Sequence, residues 1–192
     1  MLRPPRDVRT QRLVDGVLLR YAYLWVGSLE TGFCFLSYFT VFAARGVPAS
    51  ALWMSFQTSW SADSADLAVN GRVFGGPEQA RILGEAVAAY YLTLVACQAW
   101  HVFACKTRIV SLWAHGALRN SSTVTGVILA LFISVLFIYV SALQGLFGTA
   151  YLAGYWWLTS LPFGAIILCG SEASKAQVRK HPDGCWARRM QW

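Results

Sequence analysis

At 192 residues, with 56% hydrophobic and only 13% charged side chains, the chain is too apolar for an ordinary soluble domain, where about 25% of residues are charged. Its formal net charge is +7, yet no basic stretch carries the interleaving of a nucleic-acid groove, so no nucleic acid is expected as a partner. The excess charge reads instead as contact between a membrane protein and an anionic leaflet.

Residues 1–20 are polar and arginine-rich, with no apolar core. They read as a cytoplasmic lead-in rather than a signal peptide. Four apolar stretches follow, at 21–44, 82–104, 123–143 and 151–170. A hydrocarbon core of about 30 Å takes about 20 apolar residues per helix. Lipid offers no partner to open backbone groups, so each stretch must cross as a helix. The predicted fold is an all-α membrane protein, a four-helix transmembrane bundle with the lipid bilayer as its solvent.

The first span holds Glu30 between Gly27 and Gly32. An acid inside a membrane is costly and faces protein or water, while nearby glycines admit a neighbouring helix. Glu30 is either a cation contact or a hydrogen-bonded packing residue. The connection 45–81 is the longest. Its aromatic half, around Trp53 and Trp60, suits a membrane surface or a partner. Its polar half reads as a flexible turn region. In the second span, Leu94, Gln98, His101 and Cys105 share one helical face. Gln98 and His101 either line a polar cavity or make interhelical hydrogen bonds that hold the bundle. Glu85 sits near the outer end of that span, within reach of headgroups, and is given no role. Connections follow at 105–122 and, as a short extracytoplasmic turn, at 144–150. The third span has Ser134 and Tyr139 as its main interior polar groups and reads as packing. In the fourth, Pro162 should free a carbonyl for a neighbour to satisfy. Residues 171–192 form a tail.

Thirteen of the 16 Lys and Arg fall in the lead-in, the 105–122 connection and the tail, leaving Arg45, Arg72 and Arg81 on the other side. The positive-inside rule then places both termini in the cytoplasm. The cysteines, at 34, 97, 105, 169 and 185, lie in spans or on that same side. No disulfide framework is expected, and they are too scattered for zinc. Asn120-Ser121-Ser122 matches a glycosylation sequon, but it falls on the cytoplasmic side and is expected to be unused.

Several short motifs, in order and with near-gapless spacing, resemble the C-terminal third of the P-type cation-transporting ATPases, in the sodium–potassium and proton–potassium pump branch. Leu2-Arg-Pro-Pro-Arg6 and Leu13-Val14 look like the family's lead into its seventh helix. Ala22-Tyr23, Gly27 and Phe35-Leu-Ser-Tyr-Phe39 resemble that helix. Gln98 and Cys105-Lys-Thr-Arg108 are similar to the end of the eighth, and Asn120 and Gly126 to the start of the ninth. Trp156-Trp157, Leu161-Pro-Phe-Gly164, Ser174-Lys175 and His181-Pro-Asp-Gly-Cys-Trp186 resemble the tenth helix and tail.

The resemblance implies that these spans are the family's last four helices, a rigid support whose partners are the remaining helices of a plasma-membrane pump. It implies no cofactor within this chain. ATP and Mg2+ would bind cytoplasmic domains outside it, and the Asp-Lys-Thr-Gly phosphorylation motif does not occur. By itself the chain is not expected to hydrolyse ATP or transport ions. The residues implied beside a cation site are Gln98, His101 and Glu30, with no catalytic residue and no metal ligand. Some positions depart from the family. His101 stands where the sodium–potassium pump has an aspartate of its sodium-only site, and Leu129 and Ala130 stand where the family has paired glutamates. These losses argue against a normal third sodium site, and His101 would instead supply a tethered positive charge or pass a proton. The family's Ser-Tyr-Gly-Gln stretch, which pairs with a glycosylated accessory subunit, is missing near 69–76, which argues against an accessory beta-type subunit. The tail ends in Met190-Gln-Trp192 rather than a tyrosine pair. Two functions follow: the C-terminal part of a monovalent-cation pump, or a stand-alone four-helix scaffold derived from one that acts beside a full-length pump. A small channel is a poorer fit, because the third span offers almost no polar lining.

Overall fold

The structure is a computed structural model that describes residues 16–55, 58–107 and 109–184. The arginine-rich lead at 1–15, Arg108 and the tail at 185–192 lie outside the described residues. So do the motif positions that fall in them.

The first rod is continuous. Helix α1, Gly16–Leu19, runs into a π-helical stretch, Arg20–Gly27, and then into α2, Ser28–Ala44. π-Turns are wider than α-turns and are found at functional positions in helices. Gly27 closes this one where a Cβ would lie 3.1 Å from the Ala22 carbonyl oxygen. The rod ends at Arg45, and Gly46, with φ of +85°, turns the chain back.

The 45–81 connection is folded rather than a flexible turn region. The short helix α3, Ala49–Leu52, follows Pro48. Strands β1, Leu67–Val69, and β2, Arg72–Phe74, pair antiparallel with Val69 opposite Arg72. Asn70 (φ 52°) and Gly71 (φ 76°) close the hairpin, the positive-φ pair that matches the natural twist of two strands. Gln79 is fully buried beneath. Its Oε1 accepts from the Trp60 backbone N–H at 3.0 Å, and its Nε2 donates to the Ala65 and Phe74 carbonyls at 2.8 Å. Trp60 is driven edge-on against Phe42, ring centroids 4.8 Å apart, while Trp53 remains exposed. The aromatic half is therefore split between a core plug and a surface residue. The expected all-α fold also carries a two-stranded hairpin, because an Asn-Gly turn lets a few residues pair locally.

Helix α4, Gly76–Ala104, is the axis of the molecule and packs against α2, α8 and α6. Ala86, Ala88, Ala89 and Ala96 are buried along it, and small residues let helices approach closely. After α5, Leu112–His115, comes α6, Ser121–Tyr139. Asn120 caps α6, its Oδ1 accepting from the Ser122 N–H at 3.1 Å. Where a turn was expected at 144–150, a further helix, α7, occupies Ser141–Phe147 and ends at Gly148 with φ of +64°. The last helix, α8, is Tyr155–Lys180.

Three helical stretches are long and apolar enough to cross a membrane: Arg20–Ala44, Gly76–Ala104 and Ser121–Tyr139. Helix α8 has the length, at 26 residues. Its continuous apolar run is confined to 161–170, between Thr159 and Ser160 on one side and Glu172 and Lys175 on the other. The core is layered along α4. A large apolar cluster around Phe42, Phe74, Ile82, Leu92, Ile138 and Trp156 fills one end, and a small one of Ala104, Leu112 and Leu168 closes the other. Between these levels α4 carries Gln98 and His101.

Candidate functional site

Glu30 lies three residues beyond the π-stretch and is 4% exposed. Its carboxyl points at α4. Gln98 and His101, three apart, share a face of α4. Gln98 Nε2 donates to Glu30 Oε2 at 2.5 Å, and His101 Nδ1 lies 3.2 Å from Glu30 Oε1. All three residues singled out from the sequence thus meet at one place. Of the rest of the expected face, Leu94 borders a neighbouring cavity. Cys105 lies beyond the last turn of α4 as its C-terminal cap.

The imidazole is half-buried. Tyr21 meets it edge-on, with ring centroids 6.5 Å apart, and Cys105 is within electrostatic reach. Its Nε2 is buried and has no well-formed hydrogen-bond partner among the described residues, with the Cys105 side chain within hydrogen-bonding reach of the ring. On its other side Gln98 borders a cavity of about 560 Å³ between α4 and α6, lined also by Leu94, Ser122, Thr123, Gly126 and Ala130. Leu129 is exposed on the outside of α6. Among the described residues, no group of three or more His, Cys, Asp or Glu side chains is placed to hold a metal ion.

The sequence model of the family described as "Cation transporting ATPase, C-terminus" matches residues 1–176. The chain belongs to this family. Similar proteins include a potassium-transporting ATPase alpha chain 1 of Xenopus laevis, 29% identical over 95% of this chain. A potassium-transporting ATPase alpha chain 2 of Oryctolagus cuniculus is 27% identical over 99% of it. The human sodium/potassium-transporting ATPase subunit alpha-4 is 26% identical over 98%. In each case this chain spans 18% of the relative's length.

Among the described residues, two further charged clusters stand out that the sequence did not single out. Glu85 does not reach outward. It is 5% exposed, accepts from both Nε (3.0 Å) and Nη2 of Arg45, and lies 3.4 Å from Arg81 Nη1. The pairing clamps the end of the first rod to α4. Arg81 stands one turn before Glu85, which is the spacing signal available in the sequence; Arg45 is 40 residues away, and no local pattern reveals it.

The second cluster sits where α8 leaves its apolar run. Lys175 is 6% exposed, and its Nζ donates to the Ala104 carbonyl at 2.8 Å, Thr107 Oγ1 at 3.1 Å and Glu172 Oε1 at 2.9 Å. Glu172 in turn accepts from Ser111 Oγ at 2.7 Å and from the Leu112 N–H at 3.2 Å. Lys175 thereby satisfies a carbonyl left open at the end of α4. Burial pushes the Glu172 carboxyl up, but the Lys175, Ser111 and Leu112 donors outweigh it and hold the group below its ordinary 4.5.

Proposed function

We propose that this chain is the C-terminal transmembrane support region of a P-type monovalent-cation pump of the Na+/K+ or H+/K+ type, with four crossings, α8 being the fourth. The observation that carries the reading is the family match along 1–176, supported by relatives whose names are potassium- and sodium/potassium-transporting ATPases. The architecture suits a support. One central helix is tied by buried charge to the first rod at one end and to α8 at the other.

In this reading Glu30, Gln98 and His101 stand beside the cation path, and the open flank of α4 and α6 faces the remaining helices of the pump. ATP and Mg2+ are handled by parts of the pump outside these residues, and the chain by itself neither hydrolyses ATP nor transports ions. The protein resides in the plasma membrane with both termini in the cytoplasm, by the positive-inside rule, and works without an accessory beta-type subunit. The test is an immunoblot of native membranes with an antibody against 174–192. A band several times heavier than 21.2 kDa is the expected result. A single band at that mass would overturn it in favour of a stand-alone scaffold.

A further inference from the structure

We infer that the Glu30–His101 pair carries its own counter-charge: His101 stands as an imidazolium against the Glu30 carboxylate, so the cluster retains a proton and offers no seat to a free alkali-metal ion. This rests on the proposal that Glu30, Gln98 and His101 form the cation-side cluster of the bundle, and it names what occupies them.

The physical case begins with burial. Glu30 is 4% exposed between two apolar helices, where an ionised carboxylate without a charged partner costs several kcal/mol. Either protonation of the carboxyl itself or a basic group within contact distance relieves that cost, and among the described residues the His101 Nδ1, at 3.2 Å, is such a group. Gln98 Nε2 donates to Oε2 and His101 Nδ1 faces Oε1, so both carboxyl oxygens are placed as acceptors and the shared proton is assigned to the ring. Each carboxylate oxygen is already opposed by a nitrogen donor, Oε2 by Gln98 and Oε1 by His101. Hard cations are held by arrays of oxygens, and this cluster turns nitrogen donors toward its only acid. An alkali ion would have to displace a charge-assisted hydrogen bond within a single covalent structure.

The geometry also says where the proton is exchanged. Nδ1–H is committed to Glu30, whereas the buried Nε2 has no well-formed hydrogen bond among the described residues, with the Cys105 side chain within hydrogen-bonding reach of the ring at the end of α4. A proton that leaves does so from Nε2 to a water molecule reaching that end of α4, which becomes hydronium, the N–H electron pair staying on the ring nitrogen. The pair then passes from net zero to net −1, while Nδ1–H still donates to Oε1. Among the described residues, the other titratable groups beside the ring are Tyr21 and Cys105, and neither carries a positive charge that would replace it.

The experiment is nitrogen NMR of the full chain, histidine-labelled and purified into lipid nanodiscs, with His101→Gln to assign the signal against His115 and His181. At neutral pH His101 is expected to show the two similar protonated-nitrogen shifts of an imidazolium. Glu30→Gln should convert it to the split pattern of a neutral ring. Gln98→Leu, which removes only the Oε2 contact, should leave it charged. Replacing N-methylglucamine chloride by sodium or potassium chloride should not move the signal. A neutral His101 in the unmodified chain, an imidazolium that survives Glu30→Gln, or a sodium- or potassium-dependent shift would each overturn the inference. The spectrum of the unmodified chain suffices if Glu30→Gln fails to fold. The pump reading is decided separately by the mass of the native polypeptide, so either can fail alone.

Discussion

Gly164 on α8 faces the indole of Trp100 on α4, and replacing it by alanine sets two known effects against each other. In an exposed helix the change would stabilise by about 1 kcal/mol, because glycine is the poorer helix former. Here the new Cβ would lie 1.8 Å from Trp100 Cδ1, 2.4 Å from Nε1 and 2.6 Å from Cγ, where carbon–carbon contacts settle at about 3.5–4.0 Å. The obstacle is a rigid ring packed against the Ala104–Leu112–Leu168 cluster, not the free end of a flexible chain. The indole must swing out or α8 must slide away. Overpacking of this kind costs about 1–3 kcal/mol, and a deficit near 2 Å belongs at or above the top of that range. After the propensity gain, Gly164→Ala should be less stable by about 2 kcal/mol. Reversible denaturation in mixed micelles would measure this. In the Trp100→Leu background, which removes the obstacle, the same change should become neutral or stabilising, a coupling of about 2 kcal/mol. A single substitution that stabilises by about 1 kcal/mol, or a strictly additive double mutant, would refute the proposed seam between α4 and α8.

Three other outcomes follow from the charged clusters. Glu85→Ala leaves Arg45 and Arg81 without their acid; because both arginines are partly solvated, at 37% and 55% side-chain exposure, the loss should be about 1–2 kcal/mol rather than the 3–5 of a fully buried pair. Lys175→Met removes three hydrogen bonds and opens the Ala104 carbonyl; amide exchange at 105–117 should accelerate while the opposite end, around Phe42 and Trp60, stays protected. The Glu172 carboxyl is held below 4.5, so its contribution is present above its unfolded value and is lost as pH falls through the folded one. Acidification through that window should loosen the 105–117 segment in the unmodified chain, as read by amide exchange. Glu172→Gln should start looser and lose that part of the acid response.

That the chain is mostly helical, with rods long and apolar enough to cross a membrane, was legible in the sequence; the single span expected at 123–143 is instead broken at Val140 between α6 and α7. Burying a run of apolar residues while satisfying the backbone within the same segment is a local requirement, and run length reports it. Gly46 and Gly148 marked two of the breaks, whereas the break at Val140 has no such residue and Pro162 lies within α8; the Asn70-Gly71 pair carried a hairpin signal that long apolar runs do not show. Helix α8 shows the limit of that approach. Its length is helical, but Trp156, Trp157, Thr159, Ser160 and Pro162 dilute the apolar count, so composition alone describes it less well than α6.

Glu30, Gln98 and His101 could each be named from the chain, since a polar group in an apolar run stands out by its desolvation cost. That they touch one another was decided only by the tertiary structure. Glu30 is 68 residues from Gln98 and 71 from His101, and α4 is apolar on most of its circumference, so periodicity does not say which face meets which helix. The same holds for Arg45 with Glu85 and for Lys175 with the end of α4. The sequence by itself determined that the chain must form membrane-length helices, because that follows from the cost of bare backbone in lipid. Which buried charge meets which partner depends on the rotation of each helix about its axis. That rotation is settled by packing between helices far apart in the chain, and no local stretch of residues encodes it.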